Sequence, residues 1–117
     1  MAARYSPDAG DVVWLQFSPQ SGHEQAGHRP AFVVSPSSYN VKVGLALMCP
    51  LTTVVKGYPF EVALPSGIAA TGAILADQVK SLDWRARGAK LLCSVPPDVL
   101  AEVRGKIVAL VGDPTDT

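Results

Sequence analysis

The segment DVVWLQFSPQSGHEQAGHRPAFVVSP, residues 11–36, places two short apolar runs on either side of a polar stretch that contains two glycines. The runs at 11–17 and 29–35 have the length and the β-branched and aromatic content of strands. Pro30 lies near the start of the second run, where a proline is tolerated. The segment therefore predicts two strands joined by a polar loop at the mouth of a small sheet.

Further strand-like runs follow, each bounded by Gly, Pro, Ser or Asn. They are GLALMCPL at 44–51, PFEVAL at 59–64, GAILADQV at 72–79 and AKLLCSV at 89–95. Ten prolines and ten glycines are spread along the chain. Short strands separated by so many turn-forming residues favour a small, strongly bent barrel over a flat sheet.

The last apolar run, PPDVLAEVRGKIVALVG at 96–112, has a different period. Leu100, Val103, Ile107 and Leu110 form a stripe with helical spacing, and a first-turn proline suits a helix start. A shorter helix is predicted at SSYNVKV, residues 37–43. The predicted fold is therefore mainly β, a small SH3-like barrel closed by a C-terminal α-helix.

Length and composition predict one domain at 1–112, with a short polar tail at 113–117. The formal net charge is zero, which argues against a duplex-DNA binder, and 48% hydrophobic residues suggest a buried homodimer interface. Cys49 and Cys93 lie inside apolar runs, as expected of core cysteines in a reducing cytoplasm. No run reaches transmembrane length, so a cytoplasmic protein with no membrane contact is expected.

Common catalytic and metal-binding motifs are absent from the sequence. His23 and His28 are five residues apart with no cysteine nearby, which matches no common zinc pattern. There is neither a GxSxG nucleophile elbow nor a glycine-rich phosphate loop. We therefore expect no metal and no cofactor.

Polar residues collect at the predicted strand ends, and many of them are Arg, Thr, Lys and Gln. These side chains suit an anionic phosphodiester, since Arg binds phosphate oxygens in bidentate fashion and Thr adds a neutral donor. Phe17, Tyr58 and Trp84 are placed to stack on unpaired bases or to pack in the core. The residues alone indicate a groove for single-stranded nucleic acid.

Three longer segments resemble the MazF/PemK family of toxin endoribonucleases, in the same order along the chain. They are RYSPDAGDVVWLQFSPQSGHEQAGHRPAFVVSP at 4–36, YNVKVGLALMCPLTTVVKGYPFEVAL at 39–64 and ADQVKSLDWRARGAK at 76–90. The resemblance covers residues 4–112. It implies a homodimeric barrel of the PemK/CcdB type that cuts single-stranded RNA without a metal, at a short motif centred on ACA. In the family the RNA's own 2′-hydroxyl is the nucleophile, which leaves a 2′,3′-cyclic phosphate and a 5′-hydroxyl.

The resemblance also implies site residues. Arg29 and Thr52 match the family's catalytic arginine and threonine, and Glu24 lies at a further position important for activity. The general base stays open between Arg29, Glu24 and His28. The positions at which the family grips RNA correspond to Phe17, Gln25, His28, Asn40, Lys56, Tyr58, Asp77, Gln78, Lys80 and Arg87.

The partner that the resemblance implies is a MazE-like antitoxin. A disordered, acidic C-terminal segment of the antitoxin is expected to wrap the dimer and displace the loop before Arg29. Trp14 and the cations Arg85, Arg87 and Lys90 are expected contact sites for that segment.

Two other functions fit the same fold. One is a non-catalytic module that holds RNA or a peptide; the presence of Arg29 and Thr52 argues against it. The other is a gyrase poison of the CcdB type. That group acts through a C-terminal Trp-Gly-Ile, whereas this sequence ends in DPTDT.

Overall fold

The computed structural model describes residues 5–16 and 28–113, which form one antiparallel sheet and two α-helices. The strands are β1 Asp11–Gln16, β2 His28–Val33, β3 Ala46–Thr52, β4 Glu61–Ala63, β5 Ala73–Leu75, β6 Lys80–Leu82 and β7 Lys90–Ser94. The helices are α1 Ser37–Val43 and α2 Pro97–Val111, with a 3-10 turn at Ala76–Gln78. The mainly β fold with a C-terminal helix that the sequence predicts is confirmed.

The strands pair in the order β4-β5-β3-β2-β1-β7, and β6 also pairs with β3. One edge of β3 is shared by two strands, since Thr52 lies opposite Ala73 of β5 and Met48 lies opposite Lys80 of β6. The sequence predicted a single strand across residues 72–79, and this prediction is wrong. The chain turns through the 3-10 segment at Ala76–Gln78 and re-enters the sheet as a separate strand.

Apolar residues cover both faces of the central strands, as their sequence predicts. Val12 and Phe32 belong to one buried cluster, whereas Val13, Leu15 and Met48 belong to another on the opposite face. The register of β1 against β7 shifts between Val12 and Val13, which is a bulge that bends the strand. Trp14 faces solvent and is 41% exposed.

Helix α2 packs on the cluster that contains Val12. Val99 and Val103 are buried there, and Leu100 and Ile107 are partly buried. The predicted stripe is wrong at its end, because Leu110 lies in an exposed last turn beyond the edge of the sheet. Pro97 in the first turn costs no hydrogen bond, since that turn has no intrahelical acceptor for its amide.

Both cysteines are free thiols. Cys49 is buried in the first cluster, and burial, with a smaller contribution from the charge of Asp77, raises the pKa of its thiol to about 12. A thiol in this state is a small core residue and a poor nucleophile. Neither of the two described helices is long and apolar enough to cross a membrane.

Candidate functional site

Arg29 and Thr52 lie in one surface cavity at the ends of two neighbouring strands. Arg29 is exposed on β2, opposite Leu15 of β1, and Thr52 is the last residue of β3. The cavity has a volume of about 410 Å³ on one side of Thr52 and about 300 Å³ on the other. The smaller part is lined by Arg29, Pro30, Leu51, Thr52, Thr53, Val54 and Thr71.

The larger part is lined by Thr52, Val54, Lys56, Tyr58, Glu61, Leu75, Asp77 and Gln78. Because Thr52 and Val54 line both parts, the two parts form one continuous depression, which we call the groove. The cations Arg29 and Lys56 lie on either side of Thr52 along it. The structure therefore brings together six of the residues predicted from the sequence: Arg29, Thr52, Lys56, Tyr58, Asp77 and Gln78.

Thr52 is held in place by local hydrogen bonds and by a close backbone approach. Its Oγ1 accepts a hydrogen bond of 3.1 Å from the amide of Val54 and lies 3.4 Å from the Val54 carbonyl oxygen. Gly72 has a φ of +100° and passes so close that a Cβ built on it would lie 2.0 Å from the Thr52 carbonyl oxygen. Only glycine fits at position 72 with this backbone.

Asp77 and Tyr58 are paired across the larger part of the groove. The Tyr58 hydroxyl donates a hydrogen bond of 2.6 Å to Oδ2 of Asp77. This hydrogen bond is the main cause, ahead of desolvation, of a pKa for Tyr58 above that of an ordinary tyrosine. The phenol therefore stays protonated at neutral pH and remains bonded to Asp77.

The second oxygen of that carboxylate, Oδ1 of Asp77, is buried and accepts no hydrogen bond from the described residues. A buried polar atom without a partner is costly, and at a cavity wall it is a position where a ligand donor would be stabilised. Gln78 is exposed beside it and supplies both a donor and an acceptor.

Asn40 is a correction to the sequence prediction. It is fully buried, and its Nδ2 donates hydrogen bonds of 2.9 Å to the carbonyl oxygens of Pro7 and Ser35. Its Oδ1 accepts from the Ser35 hydroxyl at 2.6 Å, and its carbonyl oxygen accepts from Trp84 Nε1 at 3.1 Å. We call this set the Asn40 network. The predicted RNA contact of Asn40 is wrong, because no atom of its side chain reaches the surface.

Trp84 is likewise buried, so the suggestion that it stacks on a base is wrong. Its ring is covered by the guanidinium of Arg85, which lies 4.5 Å from the ring centroid. This cation–π contact and the Nε1 hydrogen bond identify Trp84 as a core residue.

Three other predicted RNA-binding residues are placed outside the groove lining. His28 and Lys80 are exposed on β2 and β6, and Arg87 donates a hydrogen bond of 2.9 Å from Nη1 to the Gln16 carbonyl oxygen. Glu24, Phe17 and Gln25 lie outside the described residues. Among the described residues, no group of three or more His, Cys, Asp and Glu side chains is arranged to hold a metal ion.

Sequence reasoning missed two residues at the groove. Glu61 lines it and accepts hydrogen bonds from two backbone amides of the loop at 53–60. Lys106, on α2, donates a hydrogen bond of 2.6 Å to the Pro59 carbonyl oxygen of the same loop. Neither residue carries a local signal in the sequence, because each partner is a main-chain atom.

The sequence matches the family described as PemK-like, MazF-like toxin of type II toxin-antitoxin system over residues 8–111. It is 54% identical over 112 residues to the endoribonuclease toxin MazF of Escherichia coli (strain K12), which covers 96% of this chain and 100% of that protein.

Solved structures agree with this similarity. The fold matches MazF of Deinococcus radiodurans with a TM-score of 0.84 and 56% identity, over 94% of this chain and 100% of the other. It also matches a MazE–MazF crystal structure from the same organism with a TM-score of 0.84 and 51% identity, over 93% and 98% of the two chains.

Proposed function

The chain belongs to the PemK-like, MazF-like family of type II toxin–antitoxin toxins and is an endoribonuclease toxin; we propose that it cuts single-stranded RNA at a short motif bound in the groove. The observation that carries this proposal is that Arg29 and Thr52 line one cavity. A strand of RNA lying along the groove would pass Arg29, Thr52 and Lys56 in turn.

The reaction is an attack of the RNA's own 2′-hydroxyl on the adjacent phosphorus. The O2′–P bond forms, the P–O5′ bond breaks, and the products are a 2′,3′-cyclic phosphate and a 5′-hydroxyl. The proton of the 2′-hydroxyl passes to a base, and the departing O5′ takes up a proton. DNA lacks the 2′-hydroxyl, so it would bind without being cut.

Arg29 and Thr52 supply charge stabilisation in this reaction. The guanidinium of Arg29 donates to the phosphate oxygens as negative charge builds up in the transition state. The hydroxyl of Thr52, positioned by Val54, adds a neutral donor. A guanidinium stays protonated at neutral pH, which suits an electrostatic clamp or an acid. Glu24 and His28 are therefore alternatives to Arg29 as the base. The whole reaction proceeds without a metal ion in this proposal.

Base recognition belongs to the larger part of the groove. Unpaired bases present amino and carbonyl groups that carboxylate and amide side chains can read. The unpartnered Oδ1 of Asp77 would accept from an exocyclic amino group, and adenine and cytosine carry one on the edge that pairs. This chemistry agrees with an ACA-centred motif. The exposed ring of Tyr58 offers a stacking surface beside it.

We further propose a homodimer in the cytoplasm, neutralised by a MazE-like antitoxin with a disordered acidic C-terminal segment. The relatives from Deinococcus radiodurans crystallise as MazE–MazF complexes, which supports such a partner. Trp14 and Lys90, which lie opposite each other on β1 and β7, form an exposed apolar and cationic pair suited to an acidic, apolar segment.

The test is cleavage of a long single-stranded RNA by the purified protein in EDTA, with the cut ends mapped by primer extension. Discrete cuts at an ACA-containing motif, with 5′-hydroxyl ends that polynucleotide kinase can label directly, are expected. A need for added metal or cuts at random positions would contradict the proposal. Binding without any cutting would favour the non-catalytic module instead.

A further inference from the structure

The loop at residues 53–60, between β3 and β4, forms one wall of the groove. It contributes Val54, Lys56 and Tyr58 to the lining, and nearly all of its residues are exposed. Fixing the backbone of an exposed residue costs about 1–2 kcal/mol in conformational entropy. A loop that presents side chains to a substrate therefore needs fixed partners outside itself.

Glu61 supplies the first set of partners. Its Oε1 accepts hydrogen bonds of 3.1 Å from the Lys56 amide and 3.0 Å from the Gly57 amide, and its Oε2 lies 3.2 Å from the Lys56 amide. Gly57 has a φ of +76°, so the loop turns sharply at the point that the carboxylate holds. The Glu61 amide also donates to the Tyr58 carbonyl oxygen at 3.0 Å.

Lys106 supplies the second, from a different part of the fold. Its ammonium group donates a 2.6 Å hydrogen bond to the Pro59 carbonyl oxygen, next to Tyr58. Lys106 is not among the described residues that line the groove. Its contact with the loop is therefore through the backbone, and it connects α2 to the wall that carries Tyr58.

Glu61 also has the wrong charge for its location. A carboxylate in a groove for a polyanion repels the substrate, so on charge alone its removal would strengthen binding. Its three short distances to loop amides offer a different account, in which it acts on RNA through the loop.

We infer that Glu61 and Lys106 are positioning residues that hold the 53–60 loop so that Lys56 and Tyr58 face the RNA. This inference rests on the proposed function. It predicts that losing either residue weakens RNA binding while the chemical step proceeds unchanged once RNA is bound.

The first experiment compares Glu61→Ala with wild type in steady-state cleavage of an RNA oligonucleotide with one ACA site. We expect KM to rise about tenfold and kcat to stay within about twofold, because uniform binding is lost. The direction of the KM change is decisive, since relief of repulsion alone would lower it. A lower or unchanged KM overturns the inference.

The second experiment separates positioning by Lys106 from a direct phosphate contact. Lys106→Met should raise KM, Lys106→Arg should restore it, and Lys42→Met, which removes an exposed cation from α1, should change nothing. Affinity for a non-cleavable oligonucleotide with a 2′-deoxy group at the cut site is then measured against salt. A lost phosphate contact would flatten the log–log slope by about 0.7, whereas a lost loop contact would leave it unchanged. A flattened slope overturns the inference for Lys106.

The third experiment keeps the test independent of catalysis. Amide hydrogen exchange at Lys56 and Gly57 should accelerate in Glu61→Ala while exchange at core amides is unchanged, which also shows that the variant is folded. In a Tyr58→Ala background the Lys106→Met effect on KM should shrink, because the positioned side chain is gone. If wild type neither binds nor cuts RNA, the proposed function fails and the inference fails with it. If wild type cuts and the variants match it, only the inference fails.

Discussion

The groove and the Asn40 network are both polar, and they use their hydrogen-bonding groups in opposite ways. In the network every polar atom of the Asn40 side chain is paired and buried, with partners from Pro7 and Ser35. In the groove Asp77 has one oxygen paired with Tyr58 and one buried oxygen that no described residue donates to.

The contrast separates polar residues that hold the fold from those available to a ligand. A completed network stabilises only the protein, because nothing remains for a substrate to bind. A partly completed one stores an unfavourable contact that an incoming donor relieves. Changes in the network should therefore lower stability, and changes in the groove should lower cleavage.

The largest expected effect is on cleavage, at Arg29. Arg29→Ala should reduce kcat by about 10²–10³, as loss of one transition-state donor typically does. The free energy of unfolding should change by less than about 0.5 kcal/mol, because the side chain is exposed on β2. Single-turnover cleavage and urea unfolding measure the two. Arg29→Lys keeps the charge and loses the bidentate fork, so most of the defect should remain. Wild-type cleavage by Arg29→Ala would contradict the catalytic assignment.

Asn40 should show the reverse. Asn40→Ala leaves buried oxygens of Pro7 and Ser35 without donors, which should lower the free energy of unfolding by about 3 kcal/mol. Ser38→Ala, at an exposed position of the same helix, is the matched control and should be nearly neutral. Cleavage per folded molecule should equal that of wild type. Loss of RNA affinity with unchanged stability would break the comparison and restore an RNA contact at Asn40.

Asp77 should show a smaller and more selective effect. Asp77→Asn still accepts from Tyr58, but it places an N–H donor where the groove now offers an acceptor. We expect cleavage at the preferred motif to fall about tenfold, with a shift in the bases tolerated there. Asp98→Asn removes the same charge from the first turn of α2 and controls for the general field. Sequencing of the cut ends measures the shift; an unchanged motif would mean that Asp77 reads no base.

The smallest effect concerns Tyr5, whose hydroxyl donates to Asp11 at 2.5 Å. Burial, and then this hydrogen bond, raise the pKa of Tyr5 well above its ordinary value of 10.0. The unfolded chain therefore releases this proton near pH 10 while the folded chain keeps it. The stability contributed by Tyr5 is complete below that pH and is lost as the pH rises above it. Wild type should lose more stability than Tyr5→Phe between about pH 9 and about pH 11 in urea titrations. Equal losses would contradict this account.

The sequence predicted the fold well where a local pattern was enough. The runs at β1, β2 and β3 and both helices were identified because their apolar content and flanking turn residues are local. The break between β5 and β6 was missed, because a 3-10 turn at Ala76–Gln78 changes which part of β3 is paired without changing the apolar pattern.

The errors at the site have one physical cause, which is dependence on distant partners. Asn40 is buried by Pro7 and Trp84, 33 and 44 residues away in the chain. Lys106 reaches a carbonyl 47 residues away. No spacing rule relates such residues. Arg29, Thr52 and Asp77 were found because their segments resemble a known family, and the structure adds that they share one groove.

Gly72 gives the groove a genetic consequence. A survey of random substitutions, selected in cells for escape from growth arrest, would return Arg29 because its side chain is lost. The same survey should return almost every change at position 72, because any side chain there pushes against the backbone of Thr52. A map of escape variants would thus mark as essential a residue that has no side chain to lose, while its immediate neighbour Thr71, which is exposed, tolerates replacement.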